Sequence, residues 1–346
     1  MDKQHKKKHD FLLLIFALTF LLQLNLFSQE IRTWEEKLKI KEKPINSDSI
    51  SWDKGAIVNL GFNNVGLSNW AGGGQSSISV FGMINSYLNY QHHKISWDNQ
   101  IIIAYGIIKT GNGDELPWMK NDDRIEITSK YGRKTKYKWD YTLLFNFRTQ
   151  FNYGYNSIED RLNNNYFSSI FSPAFPITAL GVDYKPNENL ACFLSPATIK
   201  TTIVLDDLLS SNGSFGIQPG KHYRIEAGGY LNFMFQHKNL FNVKDLGFKT
   251  NFSLFSNYNE NPQNIDITWE TLTSYKLKKL LTLTFSTNLV YDHDIKFYRY
   301  EKDGTPIYLT DNNNLPYLDD ENNPIQKKGA ITQYKQTLTL GLMFTF

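Results

Sequence analysis

The sequence predicts an all-β protein, a transmembrane antiparallel up-and-down β-barrel of about twelve strands. Three observations lead to this prediction: an N-terminal segment typical of secretion, long segments of alternating apolar and polar residues, and short turns that alternate with longer loops. The chain has 346 residues, 41% hydrophobic and 15% aromatic, and its mean hydropathy is -0.42. This hydropathy excludes a bundle of transmembrane helices, since each helix needs about 20 mostly apolar residues.

The first 28 residues have the features of a secretory signal peptide. Lysines at positions 3, 6, 7 and 8 precede an almost wholly apolar stretch from Phe11 to Phe27, which is followed by the small residue Ser28. A single membrane anchor is the alternative, although Gln23 and Asn25 interrupt the apolar stretch. We expect residues 1–28 to be a signal peptide, 29–52 a short periplasmic segment and 53–346 the barrel.

The rest of the chain alternates with a period of two, as β-strands do. Between Tyr137 and Phe151, large apolar side chains occupy nearly all odd positions and polar ones most even positions. Such segments are longer than soluble strands of about 5–6 residues and long enough for transmembrane strands of about 9–11. The predicted strands are 55–66, 76–91, 94–107, 123–134, 137–152, 177–186, 190–204, 222–237, 242–257, 263–276, 280–294 and 331–346.

The connections predict how the barrel is oriented. Short turns are expected near 92–93, 135–136, 187–189, 238–241 and 278–279, and longer loops at 67–75, 108–122, 153–176, 205–221, 258–262 and 295–330. In outer-membrane barrels the short turns face the periplasm. We therefore expect both termini to be periplasmic, the outer face to contact outer-membrane lipid, and the protein to reside in the outer membrane of a Gram-negative bacterium.

The last strand ends in a pattern typical of barrel substrates. It has a polar residue, a glycine, an aromatic residue and a terminal phenylalanine, namely Thr339, Gly341, Phe344 and Phe346. This pattern predicts an assembly signal that the barrel assembly machinery reads during biogenesis. The alternative is a secreted soluble β-sandwich, which seldom exposes such long aromatic-rich faces.

One loop resembles a known family. The stretch 67–74 contains Asn69, Trp70, Gly72 and Gly73 and resembles the motif of a Bacteroidota family catalogued as domain of unknown function 3078. Further similar stretches are 96–99, 129–132, 151–155, 184–187, 193–196, 255–258, 261–266 and 292–296. The resemblance implies an outer-membrane β-barrel, and it implies no activity, substrate or catalytic residue.

Little in the sequence points to catalysis or to a cofactor. Cys192 is the single cysteine, so no CxxC metal or redox site exists. A cation site at 292–294 is disfavoured because adjacent strand residues point to opposite faces. The acidic residues of 301–326 lack the EF-hand spacing, and a solvated surface loop is the favoured interpretation. An outer-membrane lipid-modifying enzyme is the alternative, but it needs a serine beside a histidine, and only His237 lies suitably on a strand. We expect no enzyme, no metal, no cofactor and no nucleic-acid partner.

The lumen is the candidate functional site. If the aromatic faces point outward, the opposite parity assigns eight basic and eight acidic side chains to the interior. The main candidates are Asp98, Arg124, Glu126, Lys138, Asp140, Arg148, Arg224, Glu226, Lys249, Asp266 and Glu270. Lys130, Asp183, Lys200, Asp292 and Lys335 complete the inward set. A selective ion pore usually shows one dominant sign, so a balanced set favours a filled or narrowly gated lumen.

These expectations define two possible roles. The first is a narrow, porin-like channel for small solutes, and the second is a structural or assembly subunit of the envelope. The sequence identifies neither the solute nor a protein partner.

Overall fold

The computed structural model describes residues 50–65, 75–111, 116–135, 137–187, 189–278, 280–301, 303, 305–311, 315–319 and 322–345. Within them, twelve antiparallel strands form one closed barrel, as the sequence predicts. Its strands are β1 (Ser51–Val65), β2 (Ser77–His92), β3 (Ile95–Thr110), β4 (Met119–Lys134), β5 (Trp139–Thr149), β6 (Phe175–Asn187), β7 (Leu190–Ile203), β8 (Tyr223–His237), β9 (Leu246–Asn257), β10 (Ile265–Lys276), β11 (Leu281–Tyr291) and β14 (Gln333–Thr345).

Some predictions lie outside the described residues. These are the signal peptide, all but the end of the 29–52 segment, the family-motif residues at 69–73, and Phe346.

Each barrel strand pairs with its neighbours in the chain, and the ring closes where β14 pairs with β1. At this seam Gly61 lies opposite Gly341. A Cβ atom on Gly341 would lie 2.5 Å from the carbonyl oxygen of Leu60, and one on Gly61 would lie 2.5 Å from the methyl group of Thr339. Thr339 and Gly341 therefore have a packing role in closing the barrel, whatever they contribute to assembly.

The predicted alternation is visible as alternating burial. On β5, Tyr141 and Leu143 are exposed, whereas Thr142 and Leu144 are buried. Large exposed apolar side chains cover the outer face of the strands, among them Leu60, Phe62, Val80, Ile84, Ile101, Ile127, Phe145, Leu180, Leu194, Ile199, Ile225, Trp269, Phe285, Leu338 and Leu340. The barrel thus has an apolar outer wall. None of the helices within the described residues is long and apolar enough to cross a membrane.

The two ends of the barrel differ. The connections 93–94, 135–138, 188–189, 238–245 and 277–280 lie at the end where β1 begins and β14 ends, which we call the turn end. The connections 66–76, 111–118, 150–174, 204–222, 258–264 and 292–332 lie at the opposite end, the loop end. The loop-end connections are in general longer than the turn-end ones. The exception is the turn-end connection 238–245, which is similar in length to the loop-end connection 258–264.

One strand boundary differs from the prediction for a clear reason. The strand expected at 123–134 begins at Met119. Near its start the β3–β4 register shifts between Gly106 and Ile107, and this shift leaves Asn121 without a partner on β3. Such a bulge inserts one residue and reverses the side-chain alternation. The period of two is broken there, which hides the first residues of β4 in the sequence.

Two loops fold against each other at the loop end. The 150–174 loop contains helix α1 (Ile158–Leu162), and the 204–222 loop contains helix α2 (Asp207–Ser211). Val204, Leu209 and Ile217 form a small buried core against which Tyr166 packs.

Asp206 connects these two loops and caps α2. Its carboxylate accepts hydrogen bonds from the backbone N–H of Leu209 and from the hydroxyls of Tyr166 and Ser169. Burial, together with this carboxylate, raises the pKa of the Tyr166 hydroxyl.

The longest loop also contains regular structure. The sequence predicts a long loop over 295–330, and β12 (Lys296–Tyr298) pairs with β13 (Lys328–Ala330) at its base. Further out, Tyr308 bridges to Gln326, and Leu318 bridges to Pro324. In the same loop, the carboxylate of Asp311 accepts a hydrogen bond from the backbone N–H of Leu315.

Candidate functional site

The barrel interior holds three groups of charged side chains at different heights. The turn-end cluster is Asp98, Lys130, Asp140, Asp183 and Lys185. The central cluster is Arg124, Glu126, Arg148, Lys249 and Glu270. The loop-end cluster is Lys200, Arg224, Glu226, Asp266, Asp292 and Asp294. Each cluster contains at least one ion pair between strands that are not neighbours in the sheet, so these side chains meet inside the barrel.

The central cluster crosses the lumen. Arg148 on β5 and Arg124 on β4 place Nη1 atoms 3.3 Å and 3.5 Å from Oε1 of Glu270 on β10. Around the ring of twelve strands β5 lies five positions from β10, and β4 lies six positions from β10, so these pairs join opposite walls. Asn288 on β11 donates a further hydrogen bond to the same oxygen at 3.2 Å. Glu270 therefore pairs with two arginines from the opposite wall of the barrel.

The central ion pairs are partly exposed. The side chains of Arg124, Arg148 and Glu270 are 25%, 32% and 26% exposed, whereas those of Asp183 and Glu226, in the two end clusters, are 1% and 2% exposed. The carboxylate that joins the central cluster is therefore more accessible than these two carboxylates of the end clusters.

Glu126 and Lys249 complete the central cluster in different ways. The carboxylate of Glu126 accepts a hydrogen bond from Asn146 at 3.1 Å and lies 3.8 Å from Arg124. The ammonium group of Lys249 makes no hydrogen bond and no ion pair with any residue that the structure describes. The charges that act on it from farther away are those of Glu270, Glu126 and Arg124.

The loop-end cluster centres on Lys200 of β7. Its Nζ lies 2.5 Å from Asp266, 2.9 Å from Asp292 and 3.8 Å from Glu226. It also lies 5.2 Å from the ring centroid of Phe255, a cation–π contact. One buried ammonium thus joins β7, β8 and β10 to the segment after β11.

Arg224 connects this cluster to two outer loops. Its guanidinium lies 2.9 Å from Glu226 and 3.2 Å from Asp294, and it donates a hydrogen bond to the carbonyl of Gly216 at 3.1 Å. Since Gly216 belongs to the 204–222 loop and Asp294 to the 292–332 loop, Arg224 ties both loops to the barrel wall.

The turn-end cluster occupies the wall formed by β3 to β6. Lys130 and Lys185 lie 2.7 Å and 3.1 Å from the buried carboxylate of Asp183, and Lys185 lies 3.9 Å from Asp98. The ammonium of Lys130 also lies 5.2 Å from the ring centroid of Phe193. These pairs fill one side of the lumen and do not reach the opposite wall.

Two further ion pairs lie at the loop-end rim. Lys335 on β14 pairs with Asp122 on β4 at 2.8 Å, and Lys120 pairs with Asp123 at 3.1 Å. Asp123 also accepts hydrogen bonds from the backbone N–H groups of residues 151 and 152, which holds the start of the 150–174 loop against the wall.

Strand parity predicts most of these residues, and the structure brings nearly all of them into the clusters. Lys335 lies instead at the loop-end rim. Lys138 is exposed beside β5, and its ammonium donates to the carbonyl of Pro186 at 2.7 Å. The prediction omitted Lys185, although it has the same parity as Asp183. It also missed Asp294, which follows the end of β11, where strand parity no longer assigns a direction.

The structure also bears on the candidate metal ligands. Asp292 and Asp294 face the cations Lys200 and Arg224. Within the described part of the chain, no group of three His, Cys, Asp or Glu residues is placed to hold a metal ion.

Together, fold and site define a closed twelve-stranded antiparallel β-barrel whose lumen is crossed by ion pairs. Residues 62–155 match a family described as "Protein of unknown function (DUF3078)". The match includes the 67–74 loop and the central-cluster residues Arg124, Glu126 and Arg148, but it ends before the similar stretches that begin at residue 184. No curated protein matches the sequence.

Proposed function

We propose that the protein is an integral outer-membrane β-barrel that forms a narrow channel for small solutes. The proposal has two parts, the membrane location and the channel. Each is supported by a different set of observations, and each has its own test.

The apolar outer wall supports the membrane location. Exposed apolar patches on soluble monomers rarely exceed a few hundred Å², whereas exposed Leu, Ile, Phe and Trp side chains run along strands around this barrel. In a closed barrel every strand is paired on both sides, which is what lipid requires of a spanning structure. The lysine-rich, apolar N-terminus predicts export. By analogy with such barrels, the turn end faces the periplasm.

The bridge from Arg124 and Arg148 to Glu270 is the observation that supports a narrow channel. It joins opposite walls of the lumen, and its side chains remain a quarter to a third exposed. A hydrated constriction lets small solutes pass slowly and blocks larger ones. A lumen packed dry throughout would bury these charges as completely as it buries Asp183.

Two experiments test the two parts. Detergent-extracted protein should migrate differently before and after boiling, as intact barrels do, and unchanged migration would contradict the membrane barrel. Liposomes containing the protein should swell slowly in small solutes, and Glu270→Ala should swell faster because the bridge is lost. Equal rates for both proteins would contradict the central constriction.

The structured loop end favours a second role, as a structural subunit of the envelope. The Val204 core and the contacts of Arg224 hold the outer loops in a defined arrangement. In that role, liposomes that contain the wild type and liposomes that contain Glu270→Ala would both remain impermeable. We propose no catalytic role for either case.

A further inference from the structure

Lys249 differs from the other cations of the lumen clusters. Lys130, Lys185, Lys200, Arg124, Arg148 and Arg224 each lie within 4 Å of a carboxylate. Lys249 lies on β9, on the same face as the buried Phe255 and as Asn251, and has no such partner among the described residues. A partly buried ammonium without a partner loses hydration and gains little in return.

The carboxylates near Lys249 already form ion pairs and hydrogen bonds with other side chains. Oε1 of Glu270 receives Arg148, Arg124 and Asn288, and Glu126 receives Asn146 and Arg124. The central cluster therefore contains three cations and two carboxylates, an excess of one positive charge. The excess lies among side chains that are a quarter to a third exposed, so a solute can reach it.

We propose that the central cluster binds a small oxyanion, a carboxylate or a phosphate, through the ammonium group of Lys249. Arg124 contributes positive potential from the same cluster, and the bridge to Glu270 limits the size of the anion. This inference rests on the proposed channel, because it names the class of solute that the constriction holds.

The two possible roles of Lys249 predict different effects on the stability of the protein without a ligand. If Lys249 serves a ligand, removing its charge should not destabilise the empty protein, since no carboxylate loses a close partner. If Lys249 instead serves the fold, its removal should destabilise the protein as the loss of a paired lumen cation does.

The test uses detergent-purified protein and measures the melting temperature in potassium chloride, acetate and phosphate at equal ionic strength. Acetate or phosphate should raise the melting temperature of the wild type by about 1–3 °C relative to chloride. Lys249→Arg should keep this shift, and Lys249→Gln should lose it. Lys221→Gln, which removes the charge of an exposed loop lysine, is the matched control and should keep it.

The two anions identify the ligand class. A shift with acetate alone indicates a carboxylate site, a shift with phosphate alone indicates a phosphate site, and either result supports the proposal. In chloride, Lys249→Gln should melt at or above the wild-type temperature. Lys249→Met replaces this variant if Lys249→Gln does not fold.

Four results would overturn the site: no anion shift in the wild type, the full shift in Lys249→Gln, clearly lower melting of Lys249→Gln in chloride, or failure of both neutral variants to fold. Because the melting temperature is measured in detergent without a membrane, it tests the anion site independently of conduction through the channel. An anion shift in a protein that does not conduct contradicts the channel alone, and conduction without an anion shift contradicts the site alone.

Discussion

Arg148 and Glu270 lie 122 residues apart in the chain, and their side chains meet across the barrel with Nη1 and Oε1 3.3 Å apart. Side chains from opposite walls touch only where the open width is no greater than their combined reach. This contact therefore marks a constriction of the lumen. Because Arg124 reaches the same Glu270 oxygen from β4, a single glutamate holds two arginines in the path of any solute.

Removing Lys200 should destabilise the barrel strongly. Lys200→Met leaves Asp266, Asp292 and Glu226 close together without their shared cation, and breaking a buried pair costs about 3–5 kcal/mol. Chemical denaturation followed by the loss of β-sheet circular dichroism measures the change. Lys221→Met, on an exposed loop, is the control, and equal stability of the two variants would contradict the role of Lys200.

Arg224 and Lys335 provide a comparison between a buried and an exposed pair. Arg224→Ala should lower stability by about 3 kcal/mol, because Glu226 is almost fully buried. Lys335→Ala should cost less than about 1 kcal/mol, since the Lys335 side chain is 48% exposed. Thermal melts of both variants test this order, and the reverse order would show that the loop-end cluster does not stabilise the barrel.

Phe344 and Phe346 should matter for assembly. Phe344→Ala combined with Phe346→Ala is expected to reduce the amount of protein in the outer membrane, because the last strand must pair with β1 to leave no open edge. Quantifying the folded barrel in membrane fractions measures this effect. Wild-type amounts of the double variant would argue against an assembly signal in these residues.

The loop end should face the outside of the cell. A protease added to intact cells should cut within 301–326 and spare the turn at 278–279, which belongs to the turn end. Cells opened by osmotic shock are the control, in which the turn becomes accessible. Cleavage at 278–279 in intact cells would mean that the barrel is inserted in the opposite direction.

The strands could be predicted from the sequence because a two-sided wall imposes alternation on every strand. The pattern between Tyr137 and Phe151 identifies β5, with its exposed and buried faces, from side-chain chemistry alone. Alternation fails at bulges, and it missed the beginning of β4 for that reason. It also gives no information about loops, so the core of Val204, Leu209 and Ile217 could not be predicted.

Most residues that line the lumen could be predicted from the sequence, whereas the contacts between them could not. Parity assigns Arg148 and Glu270 to the interior, but it does not show which walls face each other at the same height. That depends on the register of all the strands between them. For the same reason parity predicts eight inward charges of each sign, whereas the structure shows that Lys249 has no close carboxylate among the described residues.

The electrical conductance of single barrels in planar bilayers tests the central constriction most directly. We predict a small conductance for the wild type and a larger, more anion-selective conductance for Glu270→Gln, which removes the carboxylate that holds Arg124 and Arg148 across the lumen. A large, steady wild-type conductance that Glu270→Gln leaves unchanged would show that the lumen is open past this bridge, and it would contradict the proposed constriction.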